Sequence, residues 1–399
     1  MDGVGLGFSA LLLVGLQSFA QRAFGWRALR YQRGFSRIQA FEGEEVELIE
    51  IIQNRKPLPV PWLRVESRMS PSLAFGAADT GRGSVQFAGR RGVKPRAAQD
   101  ELEIEGERYH RSVFFLGAYS KITRRHRVRL MKRGHYPVGS VAMTGGDLFG
   151  LSQWTRQSQT GAVITVYPRL LDERELDPPS SRWLGDLLAR RWIISDPFLI
   201  GGVRPYQAGD MPRDVHWAAS ARTGSLQVKM REHTADPRLF VILNVQAQEN
   251  QWTDLMEYEQ SRIERGISIA ATLIVKALRA GVEAGFAANA PVFESTEPLV
   301  IPARCSATQA DEVLDALARL TIKRARSFPT FIDDLGNMTG AGAGRGQKAP
   351  PLFGGVGGGA PVLMNILILS CYDSELIQER ISALRAMGNT VELSPLSAL

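Results

Sequence analysis

The chain has 399 residues, enough for two or three domains at roughly 150 residues each. Hydrophobic residues make up 44% and charged residues 22%, which excludes a wholly disordered chain and a polytopic transporter. Lys plus Arg outnumber Asp plus Glu by 48 to 41, and the net charge of +7 favours acidic partners such as phosphates or anionic lipid headgroups. With only Cys305 and Cys371, the chain is neither a disulfide scaffold nor a zinc module.

Residues 3–21 carry no charge, and Leu11, Leu12, Leu13 and Val14 form their apolar centre. At ~1.5 Å per residue this run is about long enough to cross a ~30 Å hydrocarbon layer. A cleaved signal peptide would need basic residues before the apolar run. Here they follow it: Arg22, Arg27, Arg30, Arg33 and Arg37 precede the first subsequent acid, Glu42. The basic flank stays in the cytoplasm, so residues 1–25 are expected to be an uncleaved single-pass anchor, N-terminus out and bulk cytoplasmic. Residues 26–37 form a basic juxtamembrane segment. Arg22, Arg27, Arg30 and Arg33 are candidate headgroup contacts, each worth about 1 kcal/mol near an anionic surface.

Residues 38–168 read as a β-rich domain. Val46–Ile52 is β-branched and apolar, interrupted by Glu47 and Glu50, and ends near Pro57, Pro59 and Pro61. Further runs start at Trp62 and at Arg111, while 76–100 is polar and glycine-rich and reads as a long hairpin loop. In Ser120–Leu130, Ile122, Val128 and Leu130 share one face, and Thr123, Arg125, Arg127 and Arg129 the other. Short strands at this spacing predict an antiparallel, sandwich-like domain. Seven Lys or Arg residues plus His126 fall between Lys121 and Arg133. They fit a solvated sheet face that discourages edge pairing, or a contact surface for phosphates or an acidic partner. No aromatics interleave them for base stacking, so nucleic acid is not expected. Asp147-Leu148-Phe149-Gly150 superficially matches the kinase metal-binding motif but lacks its catalytic loop.

Residues 169–235 form a linker and signature segment, and 236–399 alternates strand and helix. Strands are expected at Leu239–Val245, Val282–Asn289, Leu363–Leu369 and Thr390–Leu393, with helices over 252–280, Ala307–Lys323 and Ser374–Met387. A glycine-rich, flexible insertion occupies 336–361. Repeated β-α-β order predicts a parallel, doubly wound sheet, and hence an α+β multidomain chain of membrane helix, antiparallel β-rich domain and α/β domain. Ligands of such sheets bind beyond the C-terminal strand ends. The turn after the first strand, Asn244 to Gln248, has no glycine-rich phosphate loop, and Ala349 follows Lys348 where a Walker motif requires Ser or Thr. No cofactor is expected.

The most distinctive stretch is Arg204, Tyr206, Gly209, Asp210, Arg213, Asp214, His216, Trp217, Ala219, Ser220, Ala221 and Arg222, ending with Leu226, Val228 and Lys229. It resembles the signature of the bacterial domain-of-unknown-function family 58. The preceding RGHYPVGS…TGGDLFGLS segment and the N-terminal anchor also fit that family's layout. The resemblance implies a von Willebrand factor A-like domain over 236–399, a bacterial inner-membrane location, and a non-enzymatic adaptor role beside a MoxR-type AAA+ ATPase in envelope-related assembly. One departure matters. Metal-dependent A domains carry D-x-S-x-S after the first strand, where this sequence has Asn244, Gln246 and Gln248. Neutral amides bring no charge to offset the dehydration of a hard cation. No metal is expected, and Asp373 is the lone acidic candidate nearby.

Arg204, Arg213 and Arg222 recur at nine-residue intervals around Asp210 and Asp214. Arginine forks pair carboxylates bidentately, so the stretch suits an ion-pair clamp between domains with Trp217 packed as an anchor. An anion-binding or partner-docking patch is the other reading. A hydrolase using Asp210–Arg222, with His216 beside Asp214 and Ser220 close by, lacks the sharp glycine-flanked turn of an exposed nucleophile. An anionic-lipid-surface binding protein is the third alternative.

Overall fold

The computed structural model describes residues 2–75, 84–87, 90–91, 99–104, 107–176, 182–183, 185, 200–206, 215–231, 238–251, 254–337 and 364–396. The chain divides into two compact units, Met1–Arg169 and Leu170–Leu399.

Unit 1 opens with helix α1 (Asp2–Phe24). Among the described residues its strands are β1 (Leu29–Phe35), β2 (Gln39–Phe41), β3 (Glu45–Asn54), β4 (Val60–Met69), β5 (Leu73–Phe75), β6 (Ser84–Phe87), β7 (Arg90–Arg91), β8 (Gln99–Ile104), β9 (Glu107–Leu116), β10 (Ser120–Leu130), β11 (Gly134–Gly146) and β12 (Gln153–Tyr167). They form two six-stranded sheets: β1-β3-β10-β6-β7, with β5 also on β10, and β2-β12-β11-β4-β9-β8. All pairs are antiparallel except β2 with β12. The segment expected to be one hairpin loop, 76–100, contains β6, β7 and the start of β8; its other residues lie outside the described ones.

Strand periodicity dictates what faces inward. On β3 the buried positions are Val46, Leu48, Glu50, Ile52 and Asn54; on β10 they are Ser120, Ile122, Arg124, His126, Val128 and Leu130. The outward Arg125 and Arg127 of β10 form the solvated face that alternation predicts. Arg124 and His126 are not part of it: both are buried. The apolar core is accordingly split into two clusters, one around Leu48, Val128 and Ile164, the other around Ile52, Ile122 and Phe114.

α1 is fastened to unit 1 at its C-terminal end. Lys56 Nζ donates to the carbonyls of Phe24, at 2.9 Å, and Gly25, meeting two of the acceptors that a helix end leaves open. Burial pushes the Lys56 ammonium down to about 8. Gln21 donates to Pro59 O at 2.7 Å, and Ser18 donates to Asp147 Oδ2 in the β11–β12 turn. The described side chains farther up the helix, including Phe8, Leu11, Leu12, Leu13, Leu16 and Phe19, are exposed. Among the described residues no helix is long and apolar enough to cross a membrane; in α1, side chains are described only from Phe8 onward.

Unit 2 contains a two-stranded ribbon, β13 (Ile200–Pro205) with β14 (Gln227–Arg231), bracketing helix α2 (Trp217–Thr223). A five-stranded sheet follows: β15 (Arg238–Leu243), β16 (Glu283–Pro291), β17 (Pro298–Arg304), β18 (Met364–Ser370) and β19 (Thr390–Pro395), in order β17-β16-β15-β18-β19. All neighbours are parallel except β17, an antiparallel edge the sequence did not disclose. Its helices are α3 (Glu257–Arg279), α4 (Gln309–Arg319), α5 (Phe328–Asn337) and α6 (Glu375–Ala386). The interior of β15 is wholly buried, as its unbroken apolar run requires of a central strand covered on both faces. Phe328, Phe331, Ile332 and Leu335 of α5 pack into the core cluster of β15, β18 and α6. Of the glycine-rich insertion, 336–337 close α5 and 338–361 lie outside the described residues.

Candidate functional site

Three places concentrate polar chemistry, one in unit 1 and two in unit 2. In unit 1, β1, β3 and β10 from one sheet and β9 from the other bring a polar layer between the two apolar clusters. Glu50, with no exposed surface, is its centre. Its Oε2 lies 2.9 Å from His126 Nε2, its Oε1 accepts the Tyr31 hydroxyl at 2.7 Å, and Arg33 Nε is 3.8 Å away. Ser112 joins Glu50 at 3.4 Å to His110 Nε2 at 3.1 Å. His110 stacks on Phe75 with ring centroids 4.6 Å apart. Arg124 lies over the Phe114 ring at 4.0 Å and donates to Val113 O.

Burial by itself would raise the Glu50 carboxyl; the hydrogen bond from His126 and the charge of Arg33 outweigh it and hold the group well below the usual carboxylate range. Burial, aided by neighbouring positive groups and opposed by Glu50, pushes His110 down to about 3, so its ring is neutral. Burial and then the Glu50 charge raise the Tyr31 phenol and keep it a donor. Glu50, His110 and His126 could offer donor atoms within 4.8 Å of one another, the spacing of a metal site. Arg33 and Arg124 put fixed positive charge beside that position, which suits an internal ion-pair layer rather than a cation seat. Buried N–H groups of both arginines have no hydrogen-bond acceptor among the described residues, a role ordered water commonly fills. Arg33 is therefore a core residue and not a headgroup contact. Arg22, Arg27 and Arg30 are exposed.

In unit 2, Asn244 follows β15 where the sheet order reverses between β15 and β18, the position at which doubly wound sheets hold ligands. Its Nδ2 donates to Ser370 Oγ at 3.0 Å, and its Oδ1 accepts from Gln246 N at 3.0 Å and Asn289 Nδ2 at 3.3 Å. Asn289 Oδ1 accepts from Val245 N at 2.9 Å, and Gln246 Oε1 from Phe328 N at 2.7 Å. Asn244, Gln246, Asn289 and Ser370 are all buried. Their amide oxygens are thus turned onto N–H donors instead of outward toward a cation. Gln248 is exposed and donates nothing to the network from its side chain, although its carbonyl accepts from Gln246. Asp373 is exposed, with both carboxylate oxygens on Gln378 Nε2 at 2.9 and 2.8 Å.

The signature stretch is the third place. Gly209, Asp210, Arg213 and Asp214 lie outside the described residues. Arg204 and Tyr206 extend β13, and Tyr206 N donates to Leu226 O across the ribbon. His216 caps α2, its Nδ1 accepting from Ala219 N at 3.1 Å, and Gly224 ends the helix with φ +67. Ser220 Oγ donates to His216 O at 3.0 Å and accepts from Gln227 N at 2.8 Å, pinning helix to strand. His216 and Ser220 are thus occupied in holding the motif's shape. Arg222 is exposed in the last turn. Trp217 is 68% exposed, not the packed anchor that the clamp reading requires. Val203, Tyr206 and Leu226 of the same motif are also exposed.

The helix and all of the ribbon but Ile200 and Gly201 fall inside a stretch, residues 202–339, that matches the family model described as "Protein of unknown function DUF58". Residues 202–339 are similar to DUF58. The matched segment runs from within β13 through α5, and so takes in the signature and the Asn244–Asn289 network but not β18, which supplies Ser370. The curated proteins return no match. Among solved structures, a non-cellulosomal cohesin from Archaeoglobus fulgidus is 8% identical over 34% of this chain and 91% of its own, with a TM-score of 0.22. The collagen-binding domain of a Staphylococcus aureus adhesin is 6% identical over 33% of this chain and 96% of its own, with a TM-score of 0.22. The major pilin SpaD of Corynebacterium diphtheriae is 6% identical over 33% and 34%, with a TM-score of 0.25.

The unit 1 layer was missed by sequence reasoning, yet it left a signal. Glu50 shares strand parity with Val46, Leu48 and Ile52, and His126 with Ile122 and Val128. Charged or titratable residues in register with an apolar face are either partnered in the core or misassigned.

Proposed function

We propose that this protein is a membrane-anchored, non-enzymatic adaptor whose unit 2 presents a docking surface to a partner protein on the cytoplasmic side. The observation that carries the reading is the exposure of Trp217 on the same small motif as Val203, Tyr206 and Leu226, with Arg222 beside them in sequence. Aromatic, aliphatic and arginine side chains displayed on a rigid scaffold are the composition of interface anchors. Monomeric proteins rarely leave such groups together in water without use.

The sheet order β17-β16-β15-β18-β19 with one antiparallel edge supports a von Willebrand factor A-like reading of the second half of unit 2. With its crevice filled by amide–amide hydrogen bonds, that domain would bind through side chains and not through a bridging cation. The engagement of His216 and Ser220 in capping and pinning weighs against the hydrolase alternative. α1 supports the anchor: it has 23 residues, and the sequence over 3–21 is free of charge. A MoxR-type AAA+ ATPase as partner, the inner membrane as location and envelope assembly as process come from the family resemblance alone.

The test is affinity purification of the full chain from native membranes, with Trp217→Ala and Tyr206→Ala combined. We expect the wild type to retain a AAA+ ATPase and the folded double variant to lose most of it. Equal retention by both would remove the docking role from this motif. Turnover of a small substrate that His216→Ala abolishes would favour the enzyme instead.

A further inference from the structure

We propose that the β11–β12 end of unit 1 is a second membrane contact: its turn, residues 147–151, enters the interfacial layer of an anionic bilayer, and the cleft beside it receives lipid phosphate. This rests on the anchor reading of α1 and adds to it a face of the β domain.

The turn reads Asp147-Leu148-Phe149-Gly150-Leu151, and Gly150 closes it with φ +75. Leu148, Phe149 and Leu151 are 70%, 60% and 68% exposed. Three large apolar side chains within four positions add nothing to the core; on a tight, hydrogen-bonded tip they form a wedge. The tip is also held at a defined depth. Asp147 accepts from the Ser18 hydroxyl, Ser152 Oγ donates to Ser18 O at 3.0 Å, and Trp62 Nε1 donates to Asp147 O at 3.0 Å. Ser18 lies inside the uncharged run, and Arg22 follows about 6 Å farther along the helix axis. A bilayer that surrounds α1 and leaves Arg22 among headgroups therefore reaches the level of Ser18, and of the tip bonded to it.

The cleft sits on the chain that leaves α1. It measures about 370 Å³ and is lined by Trp26 from the turn after α1, by Arg30 and Tyr31 from β1 and by Trp154 and Arg156 from β12, among others. Arg156 Cζ lies 5.0 Å from the Trp26 ring centroid. Tryptophan is the residue of the membrane–water boundary, and arginine forks match phosphate oxygens. Two of each converge here, just beyond the proposed wedge.

The test uses the full chain with Cys305→Ser and Cys371→Ser, reconstituted in vesicles. An environment-sensitive fluorophore is placed in turn at Phe149→Cys, Leu151→Cys, Leu12→Cys and Ile38→Cys; Ile38 is next to the opposite end of β12. Quenching by lipid-borne nitroxides reads depth. We expect strong quenching at positions 12, 149 and 151 and severalfold less at 38. Quenching at 12 but at neither tip position overturns the inference while sparing the anchor. Absence of quenching at 12 overturns the anchor and this inference with it. For the cleft, adding phosphatidylserine to phosphatidylcholine vesicles should deepen the Phe149→Cys signal, and Arg30→Gln with Arg156→Gln should abolish that gain. If phosphatidylserine has no effect while inorganic phosphate alters tryptophan fluorescence of the wild type but not of the arginine variant, the cleft is a soluble-phosphate site and its lipid role is overturned.

Discussion

Glu50 Oε2 and His126 Nε2 lie 2.9 Å apart in the middle of the unit 1 sandwich, joined across β3 and β10, with both side chains almost completely sealed from solvent. Around this pair the core changes from hydrocarbon to an ion-pair layer, and the stability of unit 1 becomes dependent on pH.

Two groups of the layer that titrate in the acid range, His110 and Glu50, bind fewer protons folded than unfolded. His110 falls from its ordinary 6.5 to about 3, and Glu50 is held below its ordinary 4.5. Their stabilisation is full above the unfolded values and is lost as pH falls. The guanidinium midpoint of unit 1 should decline below about pH 6.5, through His110, and more steeply below about pH 4.5 as Glu50 joins. His110→Gln should flatten the first part of that decline. A midpoint that rises on acidification would refute the assignment.

Removing the centre of the layer should cost more than its hydrogen bonds alone. Glu50→Gln leaves Arg33 and Arg124 as buried positive charge and should destabilise unit 1 by about 3–5 kcal/mol in equilibrium denaturation. Exchange of backbone amides in β3 and β10 should accelerate first. A loss below about 1 kcal/mol would mean that water already compensates the arginines.

Gly145 and Gly146 each lie against a tryptophan ring, Trp154 and Trp62 respectively. A Cβ on Gly145 would stand 2.5 Å from Trp154 Cζ2, and one on Gly146 would stand 2.7 Å from Trp62 Cζ2 and 2.5 Å from Ser152 O. Gly145→Ala should therefore displace an indole ring and destabilise by about 1–3 kcal/mol, with a shift in near-ultraviolet circular dichroism. Gly139→Ala, whose Cβ would meet only Thr160 O at 3.5 Å, is the mild control.

At the crevice of unit 2, Asn289→Ala orphans the Val245 amide and withdraws a donor from Asn244 and Gln246. Thermal denaturation should show a loss of about 1–3 kcal/mol. Millimolar Mg²⁺ should leave Tm of the wild type where it is, since the amide oxygens carry no charge and already accept N–H donors. A Tm that climbs with Mg²⁺ concentration would point to cation binding there.

Most of unit 2 was readable because its signals are local. A run such as Leu239–Val245 can be buried only as a two-side-covered strand, and Ser374 announces α6 by capping it, accepting from Ile377 N. β17 escaped because Pro298 and Pro302 within it disguise an edge strand, where a missing N–H is tolerated. α5 escaped because its apolar face, from Phe328 to Leu335, is short and abuts the glycine-rich stretch. Trp217 stayed open between a packed anchor and a docking patch because composition cannot distinguish a tryptophan that fills a core from one that displays itself.

What the sequence determined by itself was the sequence of layers: an uncharged helix, alternating strands, then β-α-β units with a DUF58 signature between. The helices and strands follow from periodicities of two and 3.6, which each segment carries within its own few residues, and the signature from the resemblance of its motif. Only the tertiary structure decided that Glu50 meets Arg33, His110 and His126, that Asn244 meets Asn289 and Ser370, and that Ser18 meets Asp147. Those partners lie between 17 and 129 positions apart, or across two sheets, and a buried polar group specifies that it needs a partner without naming which distant residue will supply it.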